Sequence, residues 1–225
     1  MKNTMIIVAV CALGSGVALA DSVDLRYTGL AGGNNATHLR VGGTTYFAGH
    51  MVHEYTSGDR DGQRFATFCI ELQEEASTSG ATYEIVDLAD APAPGLPYGQ
   101  SIADTISAVV ANAEALGWID AKLQGDSGQS DYLAKMGAIQ AAVWEALGAD
   151  VKVGHNRTNN GLEHYYGVLT NENTFDGSLR LRNLRAITAA GQQDMLYVVP
   201  LPPAAFAGLG MLGAIAGVRT IRRRK

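Results

Sequence analysis

The sequence predicts an α+β domain: a β-sandwich or barrel with a small helical insertion. An export signal precedes it and a membrane-spanning helix follows it. Three observations lead there. Period-two apolar alternation fills residues 24–88 and returns after 179, while 101–116 and 131–148 repeat apolar residues at helical spacing. The order strands, two helices, strands is that of an α+β domain. The apolar runs at the two chain ends lie in segments, 1–20 and 199–225, that hold bases and no acid. Of the 17 Lys and Arg, one lies in residues 1–20 and five in 219–225. The 11 between therefore face all 22 Asp and Glu, and the interior carries −11 where the whole chain carries −5. An acidic interior excludes a nucleic-acid binder, which needs a basic face to neutralise phosphates. With 47% hydrophobic and 17% charged residues, the composition is that of a folded chain. Roughly 180 residues between the ends suffice for one domain with its own core.

The elements follow in order. Lys2 precedes an apolar run from Met5 to Leu13, Gly14-Ser15-Gly16 breaks it, and Ala18 and Ala20 supply a small-residue cleavage pattern. Residues 1–20 read as a secretory signal peptide, and the run is too short for a membrane anchor. Strands are expected at 24–28, 38–41 and 44–55, with Gly/Asn-rich or polar turns at 32–35 and 57–62. Residues 64–72 form another. Their even positions Ala66, Phe68, Ile70 and Leu72 make an apolar row, which leaves Thr67, Cys69 and Glu71 on a more polar face. A strand at 83–88 leads into a loop holding Pro92, Pro94 and Pro97. The helix at 101–116 turns Ile102, Ile106, Val109, Val110 and Ala113 inward. The helix at 131–148 has a cap candidate at Ser130 or Asp131, a stop at Gly148, and an inward stripe of Met136, Ile139, Val143 and Leu147. Residues 149–177 read as loop with a short helix at 162–169. Strands at 179–187 and 195–199 complete the domain, taken as 21–198.

From 201 to 218 the chain is apolar without a charge, and 18 residues at helical rise span roughly 27 Å, enough for a thin hydrocarbon core. Arg219, Arg222, Arg223 and Arg224 follow and hold the cytoplasmic side. Hydropathy alone fits a permanent anchor as well as a processed signal. The order Val199-Pro200-Leu201-Pro202-Pro203, Gly/Ala-rich span, Arg run resembles the PEP-CTERM class of bacterial sorting signals in its VPLPA-type variant, although no Pro-Glu-Pro occurs. The resemblance covers residues 199–225. It implies export from a Gram-negative cell, transient inner-membrane residence, recognition of the 199–203 stretch by an exosortase-type enzyme, and a place at the cell surface or in an exopolysaccharide or biofilm matrix.

Of the two cysteines, Cys11 leaves with the signal, so the mature domain holds a lone thiol, Cys69. No internal disulfide can form. The thiol is then a buried inert group, half of an intermolecular disulfide, a nucleophile, or one end of a cross-link to another side chain. Gln140 stands on the apolar stripe of its helix, where a carboxamide costs free energy unless its polar atoms are satisfied. It is a hydrogen-bonded core residue or a bonded one. The segments Phe68-Cys69-Ile70-Glu71 and Gln140-Ala141-Ala142-Val143-Trp144 resemble the paired motifs of bacterial thioester domains, with Glu71 where Asp is commoner and Val143 where Ile is frequent. The resemblance implies a Cys69–Gln140 thioester in an environment set by Phe68, Glu71 and Trp144, with Trp144 keeping water out. It further implies adhesion by covalent capture of an amine or hydroxyl on an exopolysaccharide or surface protein. The other readings are a non-covalent matrix protein and an extracellular Cys hydrolase, which needs a histidine beside Cys69.

No Gly-rich phosphate loop, Ser elbow or paired-carboxylate motif occurs, and no cofactor is expected. His50 and His53 form a spaced pair, but no carboxylate or Cys lies at ligand spacing, and no metal is expected. Asp59 and Asp61 lack the remaining ligands of a Ca²⁺ loop.

Overall fold

The computed structural model describes residues 22–92, 95–153 and 161–200. The expected signal peptide lies outside them, as do Leu201, Pro202, Pro203 and the terminal arginines. Val199 and Pro200 close the described chain. Among the described residues no helix is long and apolar enough to cross a membrane.

The chain is mixed α+β with antiparallel sheets, as expected. The strands are β1 (Ser22–Leu30), β2 (Thr37–Val41), β3 (Thr44–Ala48), β4 (Met51–Tyr55), β5 (Arg64–Thr67), β6 (Ala81–Val86), β7 (Val151–Lys152), β8 (Leu184–Ala189) and β9 (Gln192–Val198). Three helices, α1 (Gly99–Ala115), α2 (Tyr132–Ala146) and α3 (Leu162–Leu169), are inserted between β6 and β8. The larger sheet runs β5-β4-β1-β6-β8-β9, and the smaller runs β3-β2-β7.

The register of the larger sheet builds one core. Leu25 lies opposite Tyr55 and Ala81, Val23 opposite Tyr83, and Ile187 opposite Ile85 and Met195. Opposed residues of an antiparallel pair share a face, so these side chains collect together with Phe65 and Tyr197. The sheet's two edges then meet just past β5. Leu196 donates its N–H to the Phe68 carbonyl at 2.9 Å, Ile70 donates to the Asp194 carbonyl at 3.0 Å, and Cys69 bridges Met195. The sheet closes on itself through Cys69. Arg60 adds a polar clasp over this core, its Nη1 donating to the Tyr55 and Tyr197 hydroxyls at 2.7 and 2.9 Å.

A second core lies among the helices, the smaller sheet and the Phe68–Ile70 stretch. Helix α2 is its centre. The expected stripe of Met136, Ile139, Gln140 and Val143 is buried, but so are Ala134, Gly137, Ala138, Ala141, Ala142 and Trp144, while Leu147 is half-buried. The helix ends as expected at Gly148 (φ +83), in a Schellman closure: Gly148 donates to the Glu145 carbonyl at 2.8 Å and Ala149 to that of Trp144 at 3.0 Å. The cap position is Asp131, yet its carboxylate makes no cap bond. It accepts from the Tyr165 hydroxyl at 2.6 Å and pairs with Lys135 at 3.0 Å.

Three strand expectations need correction. The run 44–55 is two strands in different sheets, because the chain turns at Gly49 (φ +116), whose missing side chain lets the turn approach Met136. The run 64–72 stops as a strand at Thr67. The stretch after it pairs only across the seam, and the Glu71 carboxylate then accepts from the backbone N–H groups of Gln73 and Glu74 and turns the chain away. The strand expected at 179–187 begins only at Leu184, after Asn183 at φ +59. The segment read as loop after 149 also contributes β7, which completes the smaller sheet, and holds α3 as expected.

Gly137 separates propensity from packing. A Cβ there would meet Thr37 Cγ2 at 2.8 Å and Leu162 Cδ1 at 3.0 Å. Helix propensity alone favours Gly137→Ala by about 1 kcal/mol, whereas overpacking costs about 1–3 kcal/mol. Urea unfolding should show net destabilisation. A stabilised variant would contradict the close α2–β2–α3 contact.

Candidate functional site

The seam brings Cys69 and Gln140 together. Gln140 lies on α2 with 1% of its surface exposed, and Cys69 follows β5 with 2% exposed. The Cys69 backbone N–H donates to Gln140 Oε1 at 3.0 Å, and Gln140 Nε2 donates to the Cys69 carbonyl at 2.7 Å. The intact carboxamide thus completes both main-chain groups of Cys69, as a neighbouring strand would. The expectation that Cys69 sits on a polar face fails, since Thr67, Phe68, Cys69 and Ile70 are all buried. A strip that pairs with β9 on one side and meets α2 on another has no solvent face.

The sulfur is held by main chain. Cys69 Sγ–H donates to the Glu71 carbonyl, and the Glu71 N–H lies 3.3 Å from the sulfur. The Glu71 carboxylate is occupied in its own turn, so this residue reaches the sulfur through its backbone. Burial is the main influence on the thiol and pushes it up to about 12, and the Glu71 and Asp194 carboxylates add to the rise. The Glu71 backbone N–H acts in the opposite direction, and so does the Trp144 indole, although its N–H forms no hydrogen bond to the sulfur. Further anchors stabilise the strip: the Tyr98 hydroxyl donates to the Ile70 carbonyl, and Gln193 Nε2 donates to the Glu71 carbonyl at 3.0 Å.

Cys69, Gln140 and Trp144 line a cleft of about 400 Å³, walled by Tyr27, Tyr46, Phe47 and Leu72. Phe47 is half-exposed at this cleft. The Tyr46 ring meets Trp144 edge-on, 6.1 Å between centroids. Phe68 is fully buried with its ring on His50, 4.5 Å between centroids, so it supports the strip instead of lining the cleft.

Sequence reasoning missed Gln124. Its Oε1 accepts from the Ala66 N–H at 3.0 Å and its Nε2 donates to the Ala66 carbonyl at 2.9 Å. A glutamine therefore completes the backbone twice, at Ala66 within β5 and at Cys69 three residues on, and only one of the two meets a cysteine. Gln124 sits in a loop, where no periodicity marks it.

Among the described residues, no histidine lines the cleft. His50 Nδ1 bonds the Tyr132 hydroxyl at 2.7 Å, and His53 is wholly buried beside Tyr27 and Phe65 with neither ring nitrogen partnered. Among the described residues no group of three His, Cys, Asp or Glu is arranged to hold a metal ion. Asp59 lies in an exposed turn at Gly58–Arg60, ahead of Asp61. Compared with protein-family models, with curated proteins and with solved structures, the chain finds no match.

The buried imidazoles set a pH dependence. Burial lowers His50 to about 3 and His53 to about 4 from an ordinary 6.5. Below about 6.5 the unfolded chain takes up protons that the folded chain refuses. Stability should therefore fall as pH drops from about 6.5 towards 4, by on the order of a few kcal/mol. Thermal melts across that range measure it, and His53→Leu should flatten the slope. An unchanged slope in the variant would contradict a neutral buried His53.

Proposed function

We propose that the chain is an exported bacterial surface or extracellular-matrix protein whose domain carries a thioester between Cys69 Sγ and the Gln140 side-chain carbonyl carbon. It uses that bond for single-turnover covalent capture. The supporting observation is the reciprocal pair of hydrogen bonds between the Gln140 carboxamide and the Cys69 backbone, at the wall of a cleft. The pair sets the Gln140 carboxamide against the residue that bears the nucleophile, both of them buried, and proximity is what an intramolecular acyl transfer requires. The sulfur attacks the carboxamide carbon and the S–C bond forms. Negative charge develops on Oε1, the atom that already accepts the Cys69 N–H. The C–N bond then breaks, and the thiol proton leaves with the nitrogen as ammonia. Burial of Cys69 and Trp144 limits hydrolysis.

Capture reverses the logic. An amine or hydroxyl of an exopolysaccharide or a surface protein enters the cleft and attacks the thioester carbonyl. It leaves an amide or ester to residue 140 and a free Cys69 thiol. The signal-like 1–20 and the tail 199–225 support delivery across the inner membrane and processing by an exosortase-type enzyme at Val199-Pro200-Leu201-Pro202-Pro203. This reading needs no cofactor.

A second reading has its own observation. Gln124 makes the same two hydrogen bonds to Ala66 without any thiol, so the Gln140 pair also suits a purely structural staple in a non-covalent matrix protein.

Intact mass separates the two. The secreted protein should weigh one ammonia less than its sequence and should gain one methylamine on incubation. Cys69→Ala and Gln140→Ala should keep the full mass. Gln124→Ala should lose about 1–2 kcal/mol of stability yet still shed ammonia. A full-mass wild-type protein with a titratable thiol leaves only the structural staple.

A further inference from the structure

Trp144 is 2% exposed, and its indole N–H has no hydrogen-bond partner. A buried donor without an acceptor costs stability, and a fold that keeps one calls for a reason. Trp144 follows Gln140 by four residues on α2 and therefore shares its helix face. Both residues line the cleft with Cys69, and the Tyr46 and Trp144 rings meet in a T-shaped arrangement.

We infer that the Trp144 indole N–H is a charge-stabilising donor to the Cys69 sulfur, satisfied when that sulfur becomes a thiolate. The inference rests on the thioester reading for its chemical use. A neutral thiol is a weak acceptor, whereas a thiolate is a strong one. An N–H that is poorly satisfied beside the thiol and well satisfied beside the thiolate favours whichever step puts charge on sulfur. The Glu71 N–H, 3.3 Å from the sulfur, is the second such donor. Both work against burial and against the carboxylates of Glu71 and Asp194, and the Tyr98 hydroxyl is a further neighbour in the same electrostatic environment. Capture needs this assistance most. The amine nitrogen bonds to the carbonyl carbon, the C–S bond breaks, and the electron pair goes to sulfur before the amine's proton arrives there. Without donors, a sulfur so deeply buried is a poor leaving group.

Trp144→Phe in the full chain keeps an aromatic ring against Tyr46 and removes the donor. Two readouts apply. In the Gln140→Ala background, where the thiol is free, the pH profile of Cys69 alkylation by iodoacetamide should shift upward when Trp144→Phe is added. In the otherwise native chain, Trp144→Phe should slow methylamine capture about tenfold or more, in the range of a lost charge-stabilising donor. Should Trp144→Phe fail to fold, benzothienylalanine at position 144 repeats the test with the same shape and sulfur in place of N–H. An unchanged pH profile together with an unchanged capture rate overturns the inference. A wild-type chain that never sheds ammonia overturns the thioester reading instead, while the alkylation profile still decides whether the indole acts on the sulfur.

Discussion

Two hydrogen bonds from one carboxamide hold the seam on which the rest of the structure depends. The larger sheet closes where the strip after β5 meets β9, and that contact is short: one bridge at Cys69 with a hydrogen bond on either side. A strip so briefly paired needs its remaining main-chain groups completed, because buried N–H and C=O groups are costly when unmet. Gln140 completes those of Cys69 from helix α2, and Gln124, from the loop before it, does the same for Ala66 within β5. The helical layer is thereby fastened to the sheet by side chains acting as strand neighbours. Gly137 and Gly49 permit the close approach of α2 that brings Gln140 within reach.

Under the proposed thioester reading, the same constraint makes a structural device and a reactive one coincide at one residue. A carboxamide that grips the main chain of an alanine is a staple. When it grips the main chain of a cysteine, it sets a carboxamide against a residue that bears a thiol, with both buried. The seam also imposes a cost on that thiol, since burial disfavours the charged sulfur that acyl transfer needs. The donors around it, the Glu71 N–H and the Trp144 indole, counter the cost without admitting solvent. The fold therefore places opposing influences on one atom, and the balance between them governs whether Cys69 is inert or poised.

Much of this was legible in the sequence because periodicity reports burial. The period-two runs marked β1 and β2, and the helical repeats marked α1, α2 and the short α3. The lone Cys69 and the polar Gln140 on an apolar stripe stood out as residues their surroundings could not explain locally. What the pattern could not show was long-range. The run 44–55 reads as one strand, since nothing in its alternation reveals that Gly49 sends its halves to different sheets. The face assignment at Cys69 failed because alternation presumes one solvent face, and a seam strip has none. Gln124 was invisible, since its role comes only from the contact with Ala66. Pairing of the β5 and β9 edges, about 125 residues apart in the chain, is a matter of closure entropy and register that no local window contains.

A crystal structure of the secreted protein at high resolution tests the central claim most directly. The account predicts continuous density from Cys69 Sγ to the Gln140 side-chain carbon, no Nε2 atom, and the Cys69 N–H retained on the carbonyl oxygen. A planar, intact carboxamide bonded on both sides to the Cys69 backbone, with the sulfur separate, would contradict it.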